Sequence, residues 1–282
     1  MENPPAALGL IAGKGAYPLL LADAARRQGV GRVVAVAFRK ETRPEIASVA
    51  DEVHWIPLGQ YGRMLDTLAA SGISCAVMAG QITPTHLYRI RPDRRFLDLL
   101  SRLRTRNAET IFGAVGSDLA SLGIELMPAS AFMEAHMATP GVLTARAPSA
   151  REQADIELGF RVAKTTSALD IGQTVVVKEG TVLAVEAFEG TDAAIRRAGK
   201  LGGPGSVVVK VAKPGHDMRF DIPVVGRKTL QVLRRARATV LALEAGRAIV
   251  LEKQELVAQA GKAGLTIVAV DGERAPSQGE AP

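Results

Sequence analysis

Short apolar runs alternate along this chain with longer stretches in which apolar residues recur at helical spacing. Residues 8–12, Arg32–Phe38 and Cys75–Ala79 read as strands buried on both faces, and Glu52–Ile56 and residues 124–127 as two further short ones. Between them, residues 18–28, 61–71 and 107–122 carry helix patterns, the second through Met64, Leu65 and Leu68. Strands alternating with helices predict an α/β fold with a parallel sheet and right-handed crossovers. Thr139-Pro140-Gly141 and Ala147-Pro148-Ser149 then punctuate the chain, and we place a domain boundary there, with domains at 1–140 and 141–272.

The second half predicts a mixed sheet. Ser149 caps a helix to about Ser167, with Glu152 in the capping-box position. Residues 173–178 and 181–187 form a hairpin about Glu179-Gly180, and Thr191 is expected to N-cap a helix to Leu201. A buried strand from Val207 is stopped by Pro214-Gly215, and a polar segment with His216, Asp217, Arg219 and Asp221 follows. Helices over 227–238 and 253–263 and strands near Val240 and over 265–270 complete the domain, and residues 273–282 are expected to be a disordered tail.

Composition narrows the partners. The 282 residues are 47% hydrophobic and 23% charged, enough for a packed core. The net charge of +6 and the arginine-rich excess favour anionic ligands. With Cys75 the only cysteine, no disulfide is possible within the chain, which fits a reducing cytoplasm. No signal peptide and no membrane-spanning run is read, so the protein is expected to be soluble, at most peripheral on a membrane. The segment 89–106, with seven arginines and apolar residues at Phe96, Leu99, Leu100 and Leu103, reads as a surface helix with its apolar face on the core, or as a basic amphipathic helix touching anionic lipid.

Candidate chemistry lies in both halves. Gly13-Lys14-Gly15 between a strand and a helix fits a phosphate-facing turn or a plain tight turn, and the rule that ligands sit beyond strand carboxyl ends places Gly13, Lys14, Gly80 and Gln81 on one rim. In Gly113–Asp118 the small residues, Ser117 and Asp118 mark a place where backbone could approach a ligand. The second half offers Glu186, Glu189 and Asp192 in one loop and Asp217 and Asp221 in another, with Lys164, Lys210 and Lys213 as cations. Carboxylates without paired His or Cys suit Mg²⁺ or Mn²⁺, and lysines around such an ion suit phosphoryl chemistry.

Three motifs in order, A-G-K-G-A-Y-P at 12–18, A-V-E-A-F-E-G-T-D-A-A-I at 184–195 and D-M-R-F-D-I-P-V-V-G at 217–226, resemble the UDP-2,3-diacylglucosamine pyrophosphatases of the LpxI type, with a resemblance extending to about Gly272. It implies an N-terminal Rossmann-like domain, a C-terminal domain of its own topology, and substrate held between them. The implied activity is Mg²⁺-dependent hydrolysis of UDP-2,3-diacylglucosamine to UMP and 2,3-diacylglucosamine 1-phosphate, at the cytoplasmic face of the inner membrane, in lipid A biosynthesis. Carried over by motif, Gly13 and Lys14, with Gly80 and Gln81, contact the nucleotide side. Ser117, Asp118, Lys164, Glu186, Gly190, Thr191, Lys210 and Lys213 are further substrate contacts. Asp217 and Asp221 are the catalytic pair and, with Glu189, the metal ligands; His216 is left without a role. The partners so implied are an acylated UDP-sugar, a membrane surface and a second copy of the chain, with no nucleic acid. Two alternatives stay open: a non-catalytic nucleotide-binding regulator that docks on membrane or nucleic acid, and a pyrophosphatase for another nucleotide diphosphate.

Overall fold

A computed structural model describes residues 4–82, 91–215, 217–220 and 222–272. The described residues fall into two compact units, those within 4–134 with 217–220, and those within 135–215 with 222–272.

In the first unit the order is β1 (Ala7–Ala12), α1 (Tyr17–Arg27), β2 (Arg32–Phe38), β3 (Glu52–Ile56), α2 (Tyr61–Ala70), β4 (Cys75–Ala79), α3 (Arg94–Arg102), α4 (Ala108–Ser121) and β5 (Glu125–Leu126). The strands form one parallel sheet in the order β3-β2-β1-β4-β5. Apolar residues or glycine at every position of β1, and apolar residues at every position of β2 after Arg32, let the sheet bury both faces. Ile11, Val34 and Val36 face a core built with Met64, Leu68, Leu99 and Leu119, while α1 lies against β1, β2 and β4. The winding runs outward from β1 to β3 and then crosses to β4, so the topological switch point falls between β1 and β4.

Within the arginine-rich stretch the helix occupies only Arg94–Arg102, capped by the Asp93 carboxylate, which accepts from the Phe96 N–H. Leu99 is fully buried, and Phe96, Leu100 and Leu103 pack on the same core, so the helix spends its apolar face on its own unit. Arg89 lies outside the described residues. Residues 217–220 join this unit through Met218, whose carbonyl accepts from the Ala129 N–H at 2.7 Å, and Phe220, stacked against Phe112 with ring centroids 6.4 Å apart.

The second unit runs β6 (Gly141–Val142), α5 (Ala150–Ala168), β7 (Thr174–Lys178), β8 (Thr181–Val185), α6 (Thr191–Gly202), β9 (Val207–Lys210), β10 (Val224–Val225), α7 (Arg227–Ala236), β11 (Val240–Glu244), β12 (Ile249–Val250), α8 (Lys253–Lys262) and β13 (Thr266–Val270). Its six-stranded sheet has the order β6-β13-β11-β9-β7-β8. β13, β11 and β9 are parallel, and β6, β7 and β8 pair antiparallel, so the sheet is mixed as expected. The alternation of strand side chains divides the core in two. Val175, Val177, Val207, Val209, Val240 and Ala242 meet Ile156, Phe160 and Ala163 of α5. Val176, Val208, Leu241, Leu243 and Ile267 meet α6, α7 and α8 through Ile195, Leu230, Leu233 and Leu256.

Ser149 and Glu152 form the expected capping box. β9 ends at Lys210, earlier than Pro214-Gly215, because the Ala212 N–H turns to the Glu244 carboxylate at 2.8 Å instead of continuing the ladder. The expected tail begins beyond the described residues, at 273.

Candidate functional site

A buried polar cluster of the second unit lies where the ends of three strands meet the start of α6. Lys210, the last residue of β9, is only 7% exposed. Its Nζ donates to Thr191 Oγ1 at 2.7 Å and to Thr174 Oγ1 at 3.5 Å. Thr191 Oγ1 in turn donates to Glu186 Oε1 at 2.9 Å. A hydroxyl has one proton, so with Thr191 committed to Glu186 the 3.2 Å contact between the two threonines is donated by Thr174. The other Glu186 oxygen, Oε2, is buried without a hydrogen-bond partner. A buried carboxylate oxygen left unmatched costs free energy, and a ligand proton or cation would satisfy it.

Thr191 does not act as the N-cap. Gly190 holds that place with φ 83° and ψ 162°, and no side chain caps α6. That backbone region is open to glycine and closed to residues with a Cβ. The turn it makes puts Thr191 inside the first helical turn, where its hydroxyl faces Lys210 and Glu186. No side chain therefore caps the first turn of α6 beside the buried ammonium, although its Ala193 N–H returns to the Gly190 carbonyl at 3.1 Å, and a helix start next to a cation suits an anion.

Lys164 and Lys213 are committed elsewhere. Lys164 Nζ bonds both Glu244 oxygens at 2.7 Å and the Ala212 carbonyl at 2.9 Å. Lys213 pairs with Asp170 at 2.6 Å. Together they hold the segment leaving β9 against α5 and β11. The acids of the α6 entry have cationic partners as well. Glu189 binds Arg197 at 2.7 Å, and that hydrogen bond is the main reason its carboxyl titrates below the usual range. Asp192 pairs with Lys228 at 2.7 Å.

In the first unit, Asp217 is bound by the Arg219 guanidinium through both oxygens, at 2.5–3.0 Å. Asp221 and His216 lie outside the described residues. Among the described residues no group of three or more His, Cys, Asp or Glu is gathered around one point.

The exits of β1 and β4 bring Gly13, Lys14, Gly80 and Gln81 together at the switch point. Lys14 and Gln81 exchange backbone hydrogen bonds, at 2.7 and 3.3 Å, as an isolated antiparallel bridge. The glycines are required by that crossing: a Cβ on Gly13 would lie 2.7 Å from the Gln81 carbonyl oxygen, and one on Gly80 2.7 Å from the Lys14 carbonyl oxygen. The Lys14 side chain is exposed above the bridge. On α4, Ser117 bonds the Gly113 carbonyl at 3.1 Å, and Asp118 accepts from Tyr61 Oη at 2.9 Å and from Arg102 at 3.0 Å. Burial first, then the Asp118 carboxylate, pushes the Tyr61 phenol well above its ordinary value.

Comparison with known proteins decides the family. The sequence model described as LpxI N-terminal domain matches residues 7–136, and that described as LpxI C-terminal domain matches residues 139–268. This chain belongs to the LpxI family. A curated relative from Caulobacter vibrioides, named UDP-2,3-diacylglucosamine pyrophosphatase LpxI, is 32% identical over 283 residues, covering 95% of this chain and 99% of its own length. A solved structure described as the crystal structure of gox2253 aligns over 97% of this chain and 91% of its own at 12% identity, with a TM-score of 0.27 that carries no weight.

Within this LpxI chain, the role of Thr174 was missed by sequence reasoning. As a β-branched residue at a strand start it looks like any other strand former, and only the pairing of β7 with β9 brings it to Lys210. No helix among the described residues is long and apolar enough to cross a membrane.

Proposed function

We propose that this chain hydrolyses the pyrophosphate of UDP-2,3-diacylglucosamine to UMP and 2,3-diacylglucosamine 1-phosphate, in lipid A biosynthesis, with Mg²⁺ as cofactor. Family membership over both halves, with a relative named for that pyrophosphatase, supports the reaction class. The observation that carries the site is the buried Lys210 ammonium at the uncapped start of α6, held by Thr191.

In the reaction a water oxygen bonds one phosphorus, the bridging P–O bond breaks, and the water's proton passes to solvent. Charge grows on the non-bridging and leaving oxygens, and a fixed cation beside a helix start in a water-poor site stabilises it without reorganising. Thr191 accepts from Lys210 and donates to Glu186, so it sets the ammonium's position. The orphaned Oε2 of Glu186 is an acceptor position for a substrate hydroxyl, and carboxylates without paired His or Cys are donors that suit Mg²⁺. Asp217 and Asp221, the acidic pair of the third motif, are the residues proposed to hold the ion. When bound, Mg²⁺ supplies Lewis-acid activation of water and neutralises diphosphate charge.

Lys210→Met tests this role, since the methionine fills the buried volume and removes the charge. UMP release should fall by about a hundredfold or more in kcat, with far-UV circular dichroism unchanged. Wild-type turnover in a folded Lys210→Met protein would remove Lys210 from the chemistry.

A further inference from the structure

α6 and α7 lie side by side on one face of the second unit's sheet. Their inner faces are apolar, with Ala194, Ile195, Ala198, Leu230, Leu233 and Ala236 buried. Their outer faces are basic: three lysines and arginines in α6 and four in α7, against a single acid, Asp192. Three of these cations are neutralised locally. Arg197 pairs with Glu189, Lys228 with Asp192, and Arg227 with Glu252 and Glu255. Arg196, Lys200, Arg234 and Arg235 are exposed and have no anionic partner among the described residues. Between the α6 cations runs a shallow groove lined by Ala193, Arg196, Arg197, Lys200 and Leu201. Leu201 is 67% exposed there, an apolar side chain standing among positive charges.

Four unpaired cations on adjacent helices are more than solvation of a surface layer requires, since interspersed acids would serve that purpose with less repulsion. We propose that the outer face of α6 and α7 docks on an anionic lipid bilayer. The cations would lie over lipid phosphates, and Leu201 would enter the headgroup boundary. Charge complementarity selects an anionic surface, and the protruding Leu201 in its groove favours a bilayer over nucleic acid, which offers no apolar phase for it. α3, the basic helix that the sequence offered for this role, has its apolar face in its own core. The proposal stands apart from the hydrolase reading, because binding to vesicles requires no turnover.

The test is co-sedimentation of the full chain with vesicles of phosphatidylcholine alone and with about a third phosphatidylglycerol. Binding is expected to the anionic vesicles only, and to weaken as salt rises from about 50 to 300 mM, where the Debye length shortens by roughly 2.5-fold. The variant Arg196→Ser/Lys200→Ser/Arg234→Ser/Arg235→Ser should lose about tenfold or more in partition, with its melting temperature and its turnover of detergent-dispersed substrate unchanged. Leu201→Ser alone should weaken binding without altering its salt dependence. Arg196→Gln/Lys200→Gln is a milder variant that should lose part of the binding if the fourfold one misfolds. Equal binding to neutral vesicles, no binding to either, or full binding by the folded variants would overturn the proposal. So would tighter binding to duplex DNA or tRNA through the same four residues, which would make the face a nucleic-acid surface.

Discussion

Gly190 and Gly203 stand at the two ends of α6 with φ of 83° and 65° and ψ of 162° and −155°. Both lie in backbone regions that are essentially closed to other residues. A Cβ built on either meets no atom within 4 Å, so an alanine there clashes with nothing and its cost is purely conformational. Each substitution should therefore destabilise the protein by about 1–3 kcal/mol, or a few degrees in Tm at roughly 2–4 °C per kcal/mol. Only Gly190 is joined to Thr191, whose hydroxyl sets Lys210. If the strained turn relaxes in Gly190→Ala, Thr191 and the first-turn N–H groups shift together. A displacement on the order of 1 Å can cost ~10²-fold in rate, so kcat should fall by about tenfold or more. Gly203→Ala should melt as early and turn over like wild type. Thermal melts and UMP release on the purified variants decide it. Equal loss of kcat in both, or full kcat in Gly190→Ala, would refute the assignment of the α6 entry as the anion site.

Two further predictions concern architecture. Glu152 has a carboxyl held down to about 2, chiefly by the Arg146 hydrogen bond and with help from the Ser149 N–H, against an ordinary value of 4.5. A depressed folded-state value means that its contribution is complete above the unfolded value and disappears as pH falls from about 4.5 towards 2. With Arg146 44% exposed, the contribution is about 1–2 kcal/mol rather than the full linkage value, and Glu152→Gln should flatten the urea-midpoint profile between those pH values; an unchanged acid limb would contradict the pairing. Gly13→Ala must separate the β1 and β4 exits and disrupt the Lys14–Gln81 bridge. It should cost about 1–3 kcal/mol at roughly 0.5–1.5 per hydrogen bond, and an unshifted melting temperature would show that the two exits do not meet.

Much of the fold was legible because its information is local. Continuous apolar runs in β1, β2 and β9 marked strands buried on both faces, and Ser149 with Glu152 marked the start of α5. The candidate site was legible in its ingredients and not in its wiring. Thr191 looked like a cap because Ser and Thr commonly are, yet the glycine before it supplies the turn and frees its hydroxyl. Lys164 looked available, and its partner Glu244 lies 80 residues away, at the end of a strand that only the sheet order brings near. Residues 217–220 belong to the first unit through Phe220 on Phe112, a contact between residues 108 positions apart that no periodicity encodes.

The central claim is the reaction itself. Purified protein incubated with UDP-2,3-diacylglucosamine and Mg²⁺ should yield UMP and 2,3-diacylglucosamine 1-phosphate in equal amounts, and neither once EDTA has removed the metal. Release of UDP in place of UMP, hydrolysis that persists in EDTA, or an inert substrate beside another nucleotide diphosphate that is cleaved would contradict it.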